Sequence, residues 1–189
     1  MSKAVLISIR PQWCEKIVNG EKTIEVRKTR PKLQTPFKCY IYCTMDHPYI
    51  SVSCAELDKL NYRTNTVGRC NGKVIGEFVC DCVTPLYNVC MDDWKRLAGG
   101  LHNIEKELVN QACLTEAKLH TYAGGKNCFA WHISDLRIYD TPRDLGEFKT
   151  LCRVDADCCA CPYYNYTKMG CDGRVIGRPP QSWCYVDDL

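Results

Sequence analysis

Gly20-Glu21-Lys22-Thr23-Ile24-Glu25-Val26-Arg27 is the stretch on which the reading of this chain turns. As a strand it divides with period two: Ile24 and Val26 point one way, Thr23, Glu25 and Arg27 the other, with Lys22 at the mouth of the polar row. Before it, Val5 to Arg10 is an apolar, strand-like run, and Pro11 to Asn19 has the pattern of a short amphipathic helix. Pro11 suits a first helical turn, Trp13, Cys14, Ile17 and Val18 share a face, and Gly20 is placed to end the helix with a positive φ. A strand, a helix and a polar strand thus follow one another in about two dozen residues, close to the minimum for such a unit. Chain geometry then puts Arg10, at the end of the first strand, near Lys22 and Arg27.

Beyond this unit come a basic loop, Lys28-Thr29-Arg30-Pro31-Lys32, and a strand over 37–44. Residues 46–72 carry only weak periodicity and read as loop. Lys73 to Pro85 alternates as one long strand, with Val74, Gly76, Phe78, Cys80 and Cys82 on one face and Gly76 placed for sharp curvature. Three short helices follow, over 92–97, 101–111 and 115–122, the last with Thr115 as N-cap. Gly124-Gly125 breaks the chain before strands over 128–133 and 136–139. Strands mixed with short helices, without regular βαβ spacing, point to an α+β domain with a curved sheet.

The 189 residues suffice for one full core, and 46% apolar with 25% charged content is ordinary for a globular chain. No apolar run approaches the roughly 20 residues of a membrane span, and the N-terminus lacks a long apolar core with a cleavage site, so a cytoplasmic protein is expected. The net charge of +3 is unevenly spread. Residues 1–40 hold nine lysines and arginines against three glutamates, a net +6, which leaves −3 for the rest. A segregated positive end favours a polyanionic partner, because each cation that neutralises a phosphate releases counterions.

The run Ser8-Ile9-Arg10-Pro11-Gln12-Trp13, followed by Gly20, Lys22, Glu25 and Arg27 in a Gly-x-Lys-x-x-Glu-x-Arg string, resembles the ASCH domain, a relative of the PUA and YTH-like RNA-binding modules. The resemblance continues through Gly72-Lys73-Val74-Ile75-Gly76-Glu77-Phe78 and ends near Trp131-His132-Ile133-Ser134-Asp135-Leu136, covering roughly residues 1–140. It implies closure of the strands into a PUA-like β-barrel. The same likeness extends to acetylcytidine amidohydrolases, in which a lysine, a threonine and a glutamate remove an acyl group from a modified cytidine nucleoside. Lys22 matches that lysine. Glu25 stands where the threonine is expected and Thr23 two positions earlier, while Glu77, Glu105, Glu107 and Glu116 compete for the glutamate. Some ASCH-like proteins are thought to cut RNA, but a metal-dependent ribonuclease needs clustered carboxylates or histidines, and His47, His102, His120 and His132 show no paired spacing.

Sixteen cysteines would suggest a disulfide scaffold in a secreted chain. Without a secretion signal, those from Cys14 to Cys128 read as reduced core filler. After a linker helix around 145–151, the tail is rich in cysteine and aromatic residues but lacks the apolar mass for its own core. Residues 141–189 are therefore expected to form a small appendage, with Cys158, Cys161, Cys171 and Cys184 presenting four thiolates to a structural zinc. Cys159 can replace Cys158, and Cys152 a distal ligand; buried thiols packed with Tyr163, Tyr164, Tyr166, Trp183 and Tyr185 are the alternative.

The functional expectation is binding of RNA or a modified nucleotide through a basic cleft. Arg10, Lys22, Arg27, Lys28 and Arg30 would hold phosphates or a base edge, Glu25 would orient an arginine or accept from an exocyclic amine, and Trp13, Tyr40 and Tyr42 would offer stacking surfaces. Amidohydrolysis with Lys22, Thr23 and Glu25, or RNA cleavage, is the enzymatic alternative.

Overall fold

The computed structural model describes residues 2–47, 50, 70–86, 103–151, 164–165, 170–171 and 174–189. The chain divides into two compact units, one made of residues 1–11, 38–77 and 137–189, the other of residues 12–37 and 78–136. Three sheets with few helices make the α+β class expected. Among the described strands no closed barrel forms.

The first unit is built around β1 (Lys3–Ile9). Six consecutive residues, Ala4 to Ile9, are buried on both faces, so β1 is a central strand whose backbone needs a partner on each side. On one side β3 (Phe37–Cys43) runs parallel, pairing Val5 with Cys39 and Ile9 with Cys43. On the other, β12 (Trp183–Asp187) runs antiparallel, Ala4 opposite Val186 and Leu6 opposite Cys184. The seven-stranded order is β11-β8-β12-β1-β3-β4-β7, with β4 at Val74–Cys80, β7 at Ser134–Arg143, β8 at Lys149–Thr150 and β11 at Arg174–Val175. Ala4, Leu6, Tyr40, Tyr42, Phe148 and Val186 lie in its core cluster.

Of residues 141–189, expected as an appendage, the described ones include β8, β11 and β12 of this sheet. The linker helix around 145–151 is a single 3-10 turn, Leu145–Glu147, closed by a capping box between Asp144 and Glu147, and β8 follows it. Lys38 Nζ at 2.9 Å, the Tyr40 hydroxyl at 2.7 Å and the Ser2 hydroxyl at 3.0 Å all donate to the Asp188 carboxylate, so the last residues are clasped to the sheet.

The second unit centres on a three-stranded sheet, β2 (Ile24–Arg27), β6 (Cys128–His132) and β5 (Val83–Leu86), with β6 in the middle. Helices α1 (Pro11–Val18), α2 (Asn103–Gln111) and α3 (Glu116–Ala123) belong here too. Gly20 ends α1 with φ +74°, and the Thr115 side chain caps α3 by accepting from the Lys118 N–H at 3.3 Å. Ile24, Val26, Val109, Leu119, Cys128 and Ala130 share one core cluster.

The long strand expected over 73–85 is two strands, β4 and β5, separated at Asp81 and Cys82. Cys82 is consequently exposed rather than core, whereas Cys14, Cys39, Cys43, Cys70, Cys80 and Cys128 are buried free thiols, as filler should be. Burial pushes the Cys80 thiol up to about 12. Gly76 is needed for a close approach: a Cβ there would collide with the Arg137 carbonyl of β7. The helix expected over 92–97 lies outside the described residues, as does most of the loop expected over 46–72.

Candidate functional site

Strand β2 carries the polar row expected of it, with Ile24 and Val26 in the core and Glu25 and Arg27 on the other face. That row is buried. Lys22, Glu25 and Arg27 are 3%, 6% and 9% exposed, and they form one ion triad. The Glu25 carboxylate receives Lys22 Nζ at 3.3 Å on one oxygen and Arg27 Nε at 3.1 Å on the other.

Lys22 also donates to the carbonyls of Ile24 at 2.6 Å and Ala112 at 2.9 Å, and its ammonium lies 5.4 Å from the centre of the Trp13 ring. An ammonium has three donors and no acceptor, so its protons are taken up by two carbonyls and a carboxylate. Lys22 thereby ties the end of α2 to β2. Thr23 is held through its backbone, its N–H donating to the Gln111 carbonyl at 3.0 Å and its own carbonyl accepting from the Ile133 N–H at 2.9 Å.

Two cations against one carboxylate leave the triad with net charge +1, and the basic loop follows it directly in the chain. Lys28 is exposed, and its ammonium lies 5.3 Å from the centre of the Tyr122 ring. Further on, residues 30–35 line a recess of about 370 Å³ together with Val83, its apolar lining being Pro31, Leu33 and Val83. Arg30 and Lys32 are both exposed. The lining of the recess carries two cationic side chains, Arg30 and Lys32.

Arg10 belongs to the first unit, where its Nε faces Asp46 at 3.8 Å. Glu77 is also in that unit and accepts the Tyr139 hydroxyl at 2.6 Å. Glu107 and Glu116 are exposed on α2 and α3, and the Glu105 side chain lies outside the described residues. Tyr40 and Tyr42, expected as stacking surfaces, are 0% and 4% exposed in the core cluster of the first sheet and cannot serve.

His132, read as a wall residue, has Nδ1 2.7 Å from an Asp81 oxygen, a pair set up across β6 by residues 51 apart that no local pattern announces. Among the described residues no group of three histidine, cysteine or acidic side chains could hold a metal ion. Cys158 and Cys161 lie outside the described residues. The Cys171 backbone forms β10 (Gly170–Cys171) against β9 (Tyr164–Asn165), and Cys184, in β12, packs against the first core cluster, where burial pushes its thiol up to about 11.

No protein-family model matches the sequence, and no curated protein does. Solved structures are similar throughout their length: a point mutant of the ASCH protein from Zymomonas mobilis is 18% identical, with 98% of this chain and 89% of that one covered and a TM-score of 0.51. The fold is that of the ASCH domain. Another point mutant of the same protein is 17% identical over 99% and 92% of the two chains at TM-score 0.48, and the unmutated protein 18% identical over 98% and 88% at 0.45. Two features were absent from the sequence reading: Tyr122 beside Lys28, and the wall that Val83 gives the recess. For Tyr122 the signal in the sequence was an aromatic ring near the end of a helix whose apolar face does not need it.

Proposed function

We propose that the chain binds single-stranded RNA or a modified nucleotide through the end of β2 and the basic loop after it. The observation that carries this reading is the recess lined by Arg30, Lys32, Gln34 and Thr35, whose volume of about 370 Å³ matches a small-ligand site. The planar guanidinium of Arg30 can take two phosphate oxygens at once, and Lys32 can act as a point charge beside it. Gln34 and Thr35 offer donors and acceptors for a base edge or a 2′-hydroxyl. Glu25 and Lys22 are positioning residues that hold Arg27 in the triad just before the loop. The ASCH fold and its kinship with RNA-binding modules support the same reading.

The test is fluorescence anisotropy of a labelled single-stranded oligoribonucleotide titrated from low to moderate salt. The double variant Arg30→Ala/Lys32→Ala should bind more weakly, and its slope of log affinity against log salt should shrink by about 0.7 for each phosphate that is no longer neutralised. Absence of binding by the unmodified protein across that range, or an unchanged slope in the variant, would overturn the reading. Zinc held by Cys158, Cys161, Cys171 and Cys184 belongs to the same proposal, supported by the tight spacing of the first pair. Metal analysis of protein purified without added zinc should return about one equivalent per chain; less than about half would remove the claim.

A further inference from the structure

Of the large hydrophobic side chains exposed among the described residues, Met45, Tyr122, Val175 and Leu189, one is aromatic. Tyr122 stands at the end of α3 with 40% of its surface in solvent. The helix does not require it there: Leu119 and Ala123 supply the buried face of α3, and Gly124 stops the helix one residue after Ala123 with φ +56°. The backbone of Gly124 is close enough that a Cβ on it would lie 4.0 Å from Lys28 Nζ, so the turn, the ring and the ammonium form one small surface. Burial pushes the Tyr122 hydroxyl up; the charges of Arg27 and Glu25 also act on it, and it is hydrogen-bonded to the Lys28 backbone, so the ring is anchored at its hydroxyl end beside the triad.

We propose that Tyr122 is the stacking platform for an unpaired nucleobase, with Lys28 moving from the ring to the phosphate of the same nucleotide. The inference rests on the RNA-binding reading and narrows it to single strands with accessible bases. Duplexes are excluded by the chemistry, because a paired base has its faces occupied by its neighbours. An ammonium over an exposed ring is worth about a two- to fivefold gain, whereas stacking of a base on an aromatic side chain is worth about fivefold to a hundredfold. The exchange therefore favours the base. Lys28 is exposed and long enough to follow the phosphate without unfolding the turn.

The experiment compares two labelled oligomers of equal length, a single-stranded oligoribonucleotide and its abasic ribose-phosphate counterpart, against the unmodified protein, Tyr122→Phe, Tyr122→Ala and Tyr122→Leu. The phenylalanine variant keeps the ring and should bind both oligomers within about twofold of the unmodified protein. The alanine and leucine variants should lose about fivefold to a hundredfold on the base-containing strand and less than about twofold on the abasic one; the leucine variant preserves bulk should alanine disturb α3. Equal affinity of all variants for the base-containing strand, or equal losses on both strands, would overturn the stacking role while leaving RNA binding intact. Failure of the unmodified protein to bind either oligomer would overturn both readings.

Discussion

In β1, the residues from Ala4 to Ile9 are buried among apolar neighbours, and the hydroxyl of the one polar side chain, Ser8, donates to the Pro180 carbonyl at 2.6 Å. In β2 every residue is buried as well, but only Ile24 and Val26 face apolar neighbours; Glu25 and Arg27 are buried as ions. Burial of the first kind stabilises by removing apolar surface from water. Burial of the second kind costs desolvation that partners at 3.1 to 3.3 Å only offset, so an ion triad is a weak source of stability and a good way to hold charges in one geometry. Two strands of similar burial thus differ in kind, one packing apolar side chains on both faces and one holding a buried ion triad on one of its faces.

The comparison breaks most sharply at Glu25. Glu25→Gln removes the only carboxylate of the triad and leaves two buried cations facing each other, so urea unfolding should show a loss of about 3–5 kcal/mol. Leu6→Ala in β1 should cost about 2–5 kcal/mol, set by the cavity left in its cluster with Tyr40, Phe148 and Val186. In that case the loss should be insensitive to salt and pH, whereas the loss at Glu25 should change with ionic strength only weakly because the triad is buried.

A much smaller effect belongs to the clasp at the end of the first sheet. Burial pushes the Asp188 carboxyl up, but hydrogen bonds from Lys38, Tyr40 and Ser2 together outweigh it and hold the group below its ordinary value of 3.8. A depressed folded value means that the clasp stabilises the protein above the ordinary aspartate range and that this contribution disappears as pH falls through the lower folded value. Asp188→Asn should therefore reduce stability at neutral pH by about 0.5–1 kcal/mol, as for other partly exposed pairs, and flatten the acid limb of a stability profile. An acid limb identical in the variant would remove Asp188 from the account.

Much of the second unit was legible because its signals are local. Pro11, Gly20 and Thr115 mark helix ends by their own backbone preferences, and Ile24 with Val26 mark a face by alternation over four residues. What the sequence concealed is set by distant partners. The alternation from Val74 through Cys82 continues past the point where the strand ends, because the break at Asp81 and Cys82 is fixed by the pairing of β5 with β6. At the end of the tail, β12 joins β1 across about 180 residues, a pairing with no local trace. The polar row of β2 was legible as a row but not as a buried one, because Lys22 is met by Trp13 of α1 and by the Ala112 carbonyl after α2, contacts that the local pattern does not show. The same limit hid the recess, where Val83 meets a loop some 50 residues earlier.

The most direct test of the account measures RNA affinity for Glu25→Gln and Leu6→Ala under conditions in which both variants remain folded. If β2 presents chemistry and β1 only supports its sheet, Glu25→Gln should weaken binding of a single-stranded oligoribonucleotide by about tenfold or more through the lost orientation of Arg27, and Leu6→Ala should stay within about twofold of the unmodified protein. Equal affinities for the two variants would contradict it.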